Sequence, residues 1–357
     1  MISLYKILLL LAIVRVVYMV LDLKKLENYI NKLKNAKILV IGDFALDEMV
    51  YGDTERISRE APVLILQHTY TKYILGGASN AAHNVSAINN GKVGVIGIVG
   101  EDYQAQDLKN AFEEAGIDCS SLVTDKDRKT ITKTRISGSC SQSVTQQIVR
   151  IDRQTNAPIS ADTENKLIKE IDNKINDYDT IILSDYHIGT LTDRIISHVS
   201  NLAKKYNKKV VVDAQKNLDR YKGIHSMTPN LPDTQKHVGF YLKSKEDFIN
   251  AGKKIIEQTS ADNVLITCGS DGMVVIDNNY KYTHIPVFNK SKVFDVTGAG
   301  DTVTAVYSLA LSIGAEPVYA AIIGNIAASI VVKQYGCATT TSEEILSAIP
   351  QNIKLEC

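Results

Sequence analysis

Apolar positions along this chain follow the periods of both strands and helices, and the two kinds of stretch alternate. Residues 38–41 form a short continuous apolar run that ends in Gly42 and Asp43, as expected for a buried parallel strand that leads into a ligand-facing loop. Further strands are predicted at 92–99, 180–183, 209–213, 264–267 and 292–294, and helices at 78–89, 107–115, 302–312 and 318–332. This order predicts an α/β fold, with a doubly wound, mostly parallel central sheet and helices on both faces.

Two other stretches alternate with the two-residue period of half-exposed strands. They cover about 49–75, with runs at 63–66 and 69–74, and about 130–152. Charged and turn residues separate the runs, which predicts a small second sheet beside the main one. The tip of the second hairpin, at 138–146, is long and polar.

The amino-terminal stretch needs its own interpretation. The apolar run at 7–21 is interrupted by Arg15, is too short to span a bilayer, and is followed by no small-residue cleavage site. We therefore expect an extra amphipathic helix, or a start codon placed too early, rather than a signal peptide or anchor. Met19, Leu23, Leu26, Ile30 and Leu33 form a helical stripe. We assign 1–36 to an apolar, helical N-terminal extension, 37–348 to the main domain and 349–357 to a C-terminal tail.

Charge and cysteine usage narrow the classes of partner. Forty basic and forty acidic residues cancel, so no global field attracts nucleic acid or an anionic membrane surface, and a small-molecule partner fits better. Stable membrane association is not expected. The five cysteines are odd in number and lack the spacing of a zinc site or a disulfide framework. Reduced thiols and a cytoplasmic protein are the expectation.

The stretch 294–302 concentrates the candidate chemistry. Gly298 and Gly300 lie between a predicted strand and a predicted helix, and residues without Cβ allow a ligand to approach the main chain. The first N–H groups of a helix have no partner inside it, so they can bind an anion such as phosphate. Asp301 has two interpretations: a carboxylate stabilised by the helix dipole, or a base that removes a proton from a hydroxyl while the adjacent N–H groups hold the phosphate.

The run Asp295-Val-Thr-Gly-Ala-Gly-Asp301 resembles the signature of the ribokinase-like (PfkB) sugar kinases, and the resemblance extends over about 38–347. It implies one kinase domain with a β lid formed by the second sheet, binding of ATP and Mg²⁺, and homodimers through that lid. Asp301 would be the catalytic base, and the N–H groups of Gly298, Ala299 and Gly300 would form the anion hole. Asp295 and Thr297 match positions that hold a monovalent cation, such as K⁺.

The resemblance also marks a sugar side of the site. Asp43 either shapes its turn or accepts hydrogen bonds from sugar hydroxyls, and Asp47 is a second candidate for such contacts. Gly76 and Gly77 either punctuate a loop or, together with Asn80, contact the sugar. Asp185 lies in the run 184–189, which resembles Ser-Asp-Tyr-x-x-Gly. The basic residues Lys133, Arg135 and Arg150 either decorate a surface strand or bind the non-reacting phosphate of a sugar phosphate.

A second group of residues marks the nucleotide side. The run Thr228-Pro-Asn-Leu-Pro-Asp233 is either an ordinary turn or, as in the family's Thr-Pro-Asn-x-x-Glu, a place where oxygen ligands hold magnesium through its water shell. The resemblance puts Asn230, Leu231, Pro232 and Asp233 beside ATP, with Asn230 and Asp233 serving Mg²⁺. Other family matches to the nucleotide are Thr267, Gly269, Gly272 and, near the adenine, Asn325, which is otherwise a helix polar group satisfied internally. The family's Asp-Pro-Lys-Gly is here Asp213-Ala-Gln-Lys216, with the lysine displaced by one position.

One subgroup of the family gives a more specific expectation. The run 56–62 differs only at Arg59 from the Arg-Ile-Ser-Pro-Glu-Ala-Pro of the D-glycero-β-D-manno-heptose-7-phosphate kinases, which form the kinase part of a bifunctional protein of ADP-heptose synthesis. The resemblance implies ATP-dependent phosphorylation of the sugar phosphate at its anomeric hydroxyl, giving the 1,7-bisphosphate. Two alternatives remain: a related kinase for another sugar or sugar phosphate, and a non-catalytic sugar or nucleotide sensor.

Overall fold

The computed structural model describes residues 18–140, 143–288, 293–351 and 353–356. In this part of the chain the strands are β1 (Tyr18–Val20), β2 (Ile38–Gly42), β3 (Phe44–Ile57), β4 (Leu64–Gly77), β5 (Val93–Val99), β6 (Asp118–Thr124), β7 (Ile131–Cys140), β8 (Ser143–Arg153), β9 (Thr180–Asp185), β10 (Lys209–Ala214), β11 (Ser226–Met227), β12 (Asn263–Thr267), β13 (Met273–Asp277), β14 (Tyr282–Ile285) and β15 (Lys354–Glu356). The helices are α1 (Leu23–Lys32), α2 (Ala78–Asn89), α3 (Tyr103–Glu114), α4 (Ala161–Lys174), α5 (Asp193–Lys205), α6 (Leu231–Val238), α7 (Lys245–Thr259), α8 (Ala299–Ser312), α9 (Pro317–Val331) and α10 (Ser342–Ser347).

The larger sheet carries the fold. Its order is β1-β15-β14-β13-β12-β11-β10-β9-β2-β5-β6, and the pairs from β12 to β6 are parallel. The pairs that join β12, β13, β14, β15 and β1 are antiparallel. The inner parallel strands β2, β5 and β9 are mostly apolar because helices cover both faces of the sheet, whereas the edge strand β6 is largely polar. The predicted doubly wound, mostly parallel α/β fold is confirmed.

Successive residues of β2 show how both faces are covered. Ile38 and Val40 belong to a core cluster formed with α1, α2, α3, α8 and α9, whereas Leu39 and Ile41 belong to a second cluster formed with α4, α5 and α7. All four side chains are buried, and full burial of each contributes about 1.5–3 kcal/mol. The sheet is therefore held from both sides, and the carboxyl ends of its parallel strands meet along one edge.

The second, smaller sheet was also predicted, and its order is β4-β3-β7-β8. β3 and β7 pair in parallel, whereas β3–β4 and β7–β8 are antiparallel. β3 begins before the predicted limit at 49, and β4 ends after the predicted limit at 75. These strand ends lie against the body, where Phe44, Leu46 and Leu75 are buried. We call this sheet the lid. The tip residues 141 and 142 lie outside the described part of the chain.

The segments assigned to terminal extensions contribute to the main core. α1 packs into the first cluster through Leu26 and Ile30, and Met19 lies in β1, not in the helix that the apolar stripe predicted. Its strand partner is Leu355, in a segment assigned to a C-terminal tail. The apolar run before Tyr18 lies outside the described residues. Among the helices described, none combines the length and the apolar character needed to cross a bilayer.

Two predicted element limits are wrong for identifiable reasons. α3 begins at Tyr103 instead of residue 107, because the Asp102 side chain caps the helix by accepting a hydrogen bond from the Ala105 N–H. Val293 and Phe294 are not in a strand, and Lys292 lies outside the described residues. The N–H of Phe294 donates instead to the carbonyl of Val332, at the end of α9, 2.8 Å away. The predicted strand-to-helix turn is therefore a loop-to-helix turn.

Packing of α1 into the core predicts a stability effect. Ile30→Ala should lower the free energy of unfolding by about 2–5 kcal/mol, because the side chain is fully buried and its removal leaves a cavity. Urea denaturation measures the change, with the exposed Asn28→Ala on the same helix as the control, expected within about 0.5 kcal/mol of the unmodified protein. Equal stabilities of the two variants would contradict the packing.

Candidate active site

A cavity of about 180 Å³ lies at the carboxyl ends of the parallel strands. Its lining comes from the ends of β9, β10 and β12, the segment after β11, and the starts of α6 and α8. The lining residues are Asp185, Tyr186, Asp213, Gln215, Thr228, Asn230, Asp233, Thr267, Gly298, Gly300 and Asp301. The structure thus places residues of three separate sequence motifs around one space.

The glycine turn forms one wall of this cavity. Gly298 precedes α8 in the left-handed region, with φ of 76°. The N–H of Ala299 donates to the Val296 carbonyl at 3.2 Å, so it closes the turn. Among the described residues, the N–H groups of Gly298 and Gly300 bond to no protein acceptor. Of the three N–H groups predicted to bind an anion, these two are the ones available at the helix start.

The two glycines have different reasons to lack a side chain. A Cβ on Gly298 would lie 2.4 Å from Asn80 Nδ2 and 3.2 Å from Cys337 Sγ, so the protein itself requires glycine there. A Cβ on Gly300 would have nothing within 4 Å. The space beside Gly300 faces the cavity, where a ligand can approach the backbone.

Asp301 is buried, and each of its carboxylate oxygens accepts a hydrogen bond. Asn80 Nδ2 donates to Oδ2 at 2.9 Å, and the Tyr186 hydroxyl donates to Oδ1 at 2.7 Å. Burial raises the pKa of Asp301, while the bonds from Asn80 and Tyr186 and the charge of Lys133 act in the opposite direction. Asp301 is therefore a desolvated carboxylate aimed by two donors, which suits it to accept a proton.

A chain of hydrogen bonds fixes the amide of Asn80. Thr302 Oγ1 donates to Asn84 Oδ1 at 3.0 Å, and Asn84 Nδ2 donates to Asn80 Oδ1 at 3.1 Å. Because the Asn80 oxygen accepts, its nitrogen faces Asp301. All three side chains are fully or almost fully buried. Asn80 was predicted to contact a sugar, and the structure places its amide on the carboxylate instead, so sugar contact stays a prediction.

Further charged groups surround the same space. Burial and the nearby Asp301 raise the pKa of Asp213 to about 7. Lys133 lies on the opposite side, with Nζ 5.8 Å from the centre of the Tyr186 ring. Burial and the charges of Asp301 and Asp47 raise the pKa of Cys337 to about 12, so this thiol is neutral beside the turn. The site has an acidic floor at the strand ends and a basic residue on the lid.

Asp47 and Arg135 pair on the lid above the cavity. Arg135 Nη1 lies 2.8 Å from Asp47 Oδ1, so the two side chains form an ion pair. A Cβ on Gly76 would lie 3.0–3.1 Å from the Asp47 carboxyl group, which explains glycine at that position. The predicted residues Asp47, Gly76 and Arg135 are therefore neighbours.

Asp43 and Asp185 hold the loop that carries Tyr186. Asp43 accepts hydrogen bonds from the N–H groups of Tyr186, Ile188 and Thr190 at 3.0–3.3 Å. Asp185 accepts from the His187 N–H and from the Tyr221 hydroxyl. Gly77, with φ of 55°, is the N-cap residue of α2, and a Cβ there would lie close to the Asp43 carbonyl oxygen. Their predicted contacts with a sugar stay predictions, and their observed role is to shape the loop.

Asn230 and Asp233 form a reciprocal cap on α6 at the other end of the cavity. The Asp233 N–H donates to Asn230 Oδ1 at 2.8 Å, and Asn230 Nδ2 donates to Asp233 Oδ2 at 2.7 Å. Leu231 and Pro232 form the first turn of this helix. Thr267 adjoins Asn230 through a parallel bridge, so it lies at the same wall. Burial raises the pKa of Asp233, against the effect of Asn230 and of Lys236 and Lys216 nearby.

Three predicted nucleotide residues lie away from the cavity lining. Gly269 and Gly272 belong to the turn between β12 and β13, and a Cβ on Gly272 would lie 2.1 Å from the Ile285 carbonyl oxygen. Asn325 is buried in α9 and donates from Nδ2 to the Pro286 carbonyl at 2.8 Å. The close packing explains glycine at 272, and the hydrogen bond satisfies the buried Asn325 amide. Contacts of all three residues with a nucleotide stay predictions.

Asp295 organises the approach to the glycine turn. Its Oδ1 accepts from the N–H and the hydroxyl of Thr297, and its Oδ2 accepts from the Gly336 N–H. Burial raises the pKa of Asp295, but the bonds from Thr297 and Gly336 and the charge of Arg135 prevail, and the pKa lies below its usual value. Asp295 is a charged residue that ties the turn to the segment after α9.

Sequence reasoning missed several members of the site. The sequence predicted no functional role for Tyr186, Asn84, Asp213, Gln215 or Cys337. The spacing of Asn80 and Asn84 on one helix face was a usable signal for the pair. For Tyr186 the chain offers no local signal, because its partner Asp301 lies far away in sequence.

Most of the chain matches known proteins in sequence. Residues 35–344 match the sequence profile described as pfkB family carbohydrate kinase. The bifunctional protein HldE of Helicobacter hepaticus is 38% identical over 325 residues, which cover 90% of this chain and 66% of the relative. HldE of Aliarcobacter butzleri is 36% identical over 313 residues, covering 87% and 64%. The chain spans about two thirds of the length of these curated relatives.

Solved structures share the fold at low identity. Ribokinase of Arabidopsis thaliana, complexed with ribose and ATP, has a TM-score of 0.66 and 18% identity, covering 88% of this chain and 98% of that one. Phosphofructokinase-2 of Escherichia coli, in complex with potassium, has a TM-score of 0.71 and 16% identity, with the same coverage. At this identity the likeness shows the ribokinase-like fold alone.

The two glycines predict opposite stability effects. Gly298→Ala should lower the free energy of unfolding by about 1–3 kcal/mol, because the new Cβ has an unfavourable φ and displaces Asn80. Gly300→Ala should leave stability unchanged or raise it by about 0.4–1 kcal/mol, since the residue is helical and open. Parallel denaturation curves measure both. Similar losses in the two variants would refute the distinction.

Proposed function

Because the chain belongs to the pfkB family of carbohydrate kinases, we propose that it transfers the γ-phosphoryl group of ATP to the anomeric hydroxyl of D-glycero-β-D-manno-heptose 7-phosphate, with Asp301 as the base. The chain is a sugar kinase, and the proposal concerns its substrate and its residues. The observation that carries it is the desolvated Asp301 carboxylate beside the open N–H groups of the glycine turn.

On the acceptor side, Asp301 would receive the proton of the sugar hydroxyl. Its neighbours Asn80 and Tyr186 fix the carboxylate, and the cavity begins at its surface. In phosphoryl transfer an aspartate in this position orients the attacking hydroxyl and takes its proton as the bond to phosphorus forms. The hydroxyl must therefore lie between Asp301 and the glycine turn.

On the donor side, the residues present fit an ATP–Mg²⁺ complex. Gly298 and Gly300 line the cavity, and the missing side chain of Gly300 leaves room for a phosphate near the backbone N–H groups. Asn230 and Asp233 lie across the cavity and offer oxygen atoms to the water shell of magnesium. When bound, magnesium neutralises charge on the phosphates. The N–H groups stabilise the charge that develops on the moving phosphoryl group.

The structure gives less support to the predicted monovalent-cation site than to the phosphate site. Asp295 supplies a carboxylate that stays charged, but its two oxygens already accept three hydrogen bonds from Thr297 and Gly336. The segment 289–292, which precedes this turn, lies outside the described residues. Binding of K⁺ beside Asp295 and Thr297 stays a prediction.

The face of the lid above the cavity favours a substrate that already carries a phosphate. In the register of the sheet, Lys133 is beside Asp47, and Arg135 is opposite Arg150. Lys133 lies near Asp301, and Arg135 is two residues further along β7, or about 7 Å. A phosphate at the far end of a sugar bound at Asp301 would meet Arg135 and Arg150, whose forked guanidinium groups suit phosphate.

The similarity to HldE proteins supports heptose 7-phosphate as the first substrate to test. The run 56–62 that resembles the heptose-7-phosphate kinases supports the same choice. A kinase for another sugar phosphate is the second candidate, favoured by the displaced lysine at Lys216 and the long lid tip. The relatives are named bifunctional, and the proposal covers only the kinase activity of this chain.

We extend the proposal to a homodimer formed through the lid. Val149 and Ile151 lie on β8, and 45% and 43% of their surface is exposed on a sheet whose inner face is polar. Exposed apolar side chains on a sheet face are typical of a contact with another chain.

The base assignment predicts the effect of one isosteric change. Asp301→Asn should reduce turnover by roughly 10²–10⁴-fold while ATP binding persists, because it removes the proton acceptor and keeps the backbone N–H groups. Steady-state kinetics and nucleotide titration measure the two effects. Asp162→Asn, on the exposed side of α4, is the matched control with normal turnover. Near-normal turnover of Asp301→Asn would refute the base assignment.

The substrate proposal predicts a preference for the phosphorylated sugar. The ratio of kcat/KM for heptose 7-phosphate to that for unphosphorylated heptose should be roughly 10–150, as expected for a charge-assisted contact. Arg135→Gln and Arg150→Gln should each reduce this ratio. Lys126 is exposed and lies just before β7, so Lys126→Gln should not change the ratio. Equal kcat/KM values for the two sugars would exclude a sugar phosphate as the preferred substrate.

A further inference from the structure

Tyr186 touches both the proposed base and the cavity, and its effect on the protonation of that base goes beyond holding the carboxylate in place. Its hydroxyl donates to Asp301 Oδ1, and Asn80 occupies the other oxygen. The two donors come from different parts of the fold, Asn80 from α2 and Tyr186 from the loop after β9. Together they define the plane of the carboxylate, which neither could do alone.

The loop that carries Tyr186 is fixed by buried charges. Asp43 accepts hydrogen bonds from the N–H groups of Tyr186 and Ile188, and the guanidinium of Arg128 donates to the carbonyl of Ile188. Arg128 also donates to the carbonyls of Thr155 and Ala157, in the segment that leaves the lid. The backbone of Tyr186 is therefore fixed, and the bond from its hydroxyl to Asp301 selects the side-chain rotamer.

Gly189 shows how closely these segments pack. Its φ is 101°, and a Cβ there would lie 2.5 Å from the Ala157 carbonyl oxygen and 3.2 Å from Arg128 Nη2. A loop that served only to connect β9 to α5 would not need two buried charged residues and a crowded glycine to fix it. Such support is expected around a side chain that must be placed accurately.

We propose that Tyr186 is a positioning residue that keeps Asp301 ionised and aimed at the substrate hydroxyl. A hydroxyl that donates to a carboxylate stabilises its charged form. The carboxylate keeps other lone pairs, so the hydroxyl does not block the proton that the base must accept. Burial and the charge of Asp301 raise the pKa of Tyr186, so the phenol stays protonated and remains a donor. The inference rests on Asp301 acting as the base.

The sign of the expected pH effect follows from the groups around Asp301. Those that face it are Tyr186 from the β9 loop, Lys133 and Asp47 from the lid, Asp213 from β10 and Cys337 from the segment after α9. Of these, Tyr186 and Lys133 favour the ionised base, and Asp47 opposes it. Removing the Tyr186 hydroxyl leaves the other groups in place, so the pKa of Asp301 rises. A base that protonates more easily loses activity at a higher pH.

The test is the pH profile of kcat/KM for Tyr186→Phe. The acid limb should move upward by about one pH unit, and kcat at its optimum should fall by about tenfold because the carboxylate is less well oriented. KM for ATP should change little. Tyr29→Phe, on α1, is the matched control, because it removes a tyrosine hydroxyl from the carboxylate of Glu316, which lies outside the cavity lining. Its acid limb should coincide with that of the unmodified protein.

A second variant protects the test against a folding defect. Substitution of Tyr186 by 3-fluorotyrosine keeps the ring and makes the hydroxyl a stronger donor, so the acid limb should move downward. An unshifted limb in both Tyr186 variants, or an equal shift in Tyr29→Phe, would overturn the proposal. Failure of the base assignment itself is distinguished by Asp301→Asn: if that variant keeps its turnover, the base is elsewhere, whereas an inactive Asp301→Asn with an unshifted Tyr186→Phe refutes only the role of Tyr186.

Discussion

The burial of one carboxylate, at the start of a buried helix, is the constraint on which the rest of this site depends. Removal of Asp301 from water favours its neutral form, whereas proton abstraction needs the charged form. The helix start, the amide of Asn80, the hydroxyl of Tyr186 and the ammonium group of Lys133 all act against that cost. Each of these groups must in turn be held in place, and this accounts for much of the polar structure inside the cavity walls.

The turn before that helix shows how one motif meets two requirements. Gly298 is needed by the protein, because any side chain there would displace the amide that bonds Asp301. Gly300 is not needed by the protein, since the space beside it is open. The open backbone of the turn and the orientation of Asp301 therefore depend on neighbouring residues. A side chain at Gly298 would disturb the geometry around Asp301, whereas a side chain at Gly300 would occupy the open space.

The sequence allows prediction wherever the determinants are local. Strands such as β2, β9 and β10 were identified because a parallel strand covered on both faces is apolar throughout, and the chemistry of 295–301 lies within seven successive residues. The strand at Met19 was missed because residues 19, 23, 26 and 30 continue a helical spacing, while the partner strand is at the other end of the chain. Tyr186 was missed because it meets Asp301 only when strand order brings β9 beside the start of α8.

The parallel pairing of β3 with β7 has a consequence for how the lid forms. Between these two strands the chain passes through α2, β5, α3 and β6, which belong to the body. Closing so long a loop costs conformational entropy, which is recovered only when the intervening elements have already packed. The lid should therefore complete its sheet late in folding and open first in the native state. A lid of this kind would open more easily than the core, which would allow a ligand to enter the cavity without disturbing the buried Asp301.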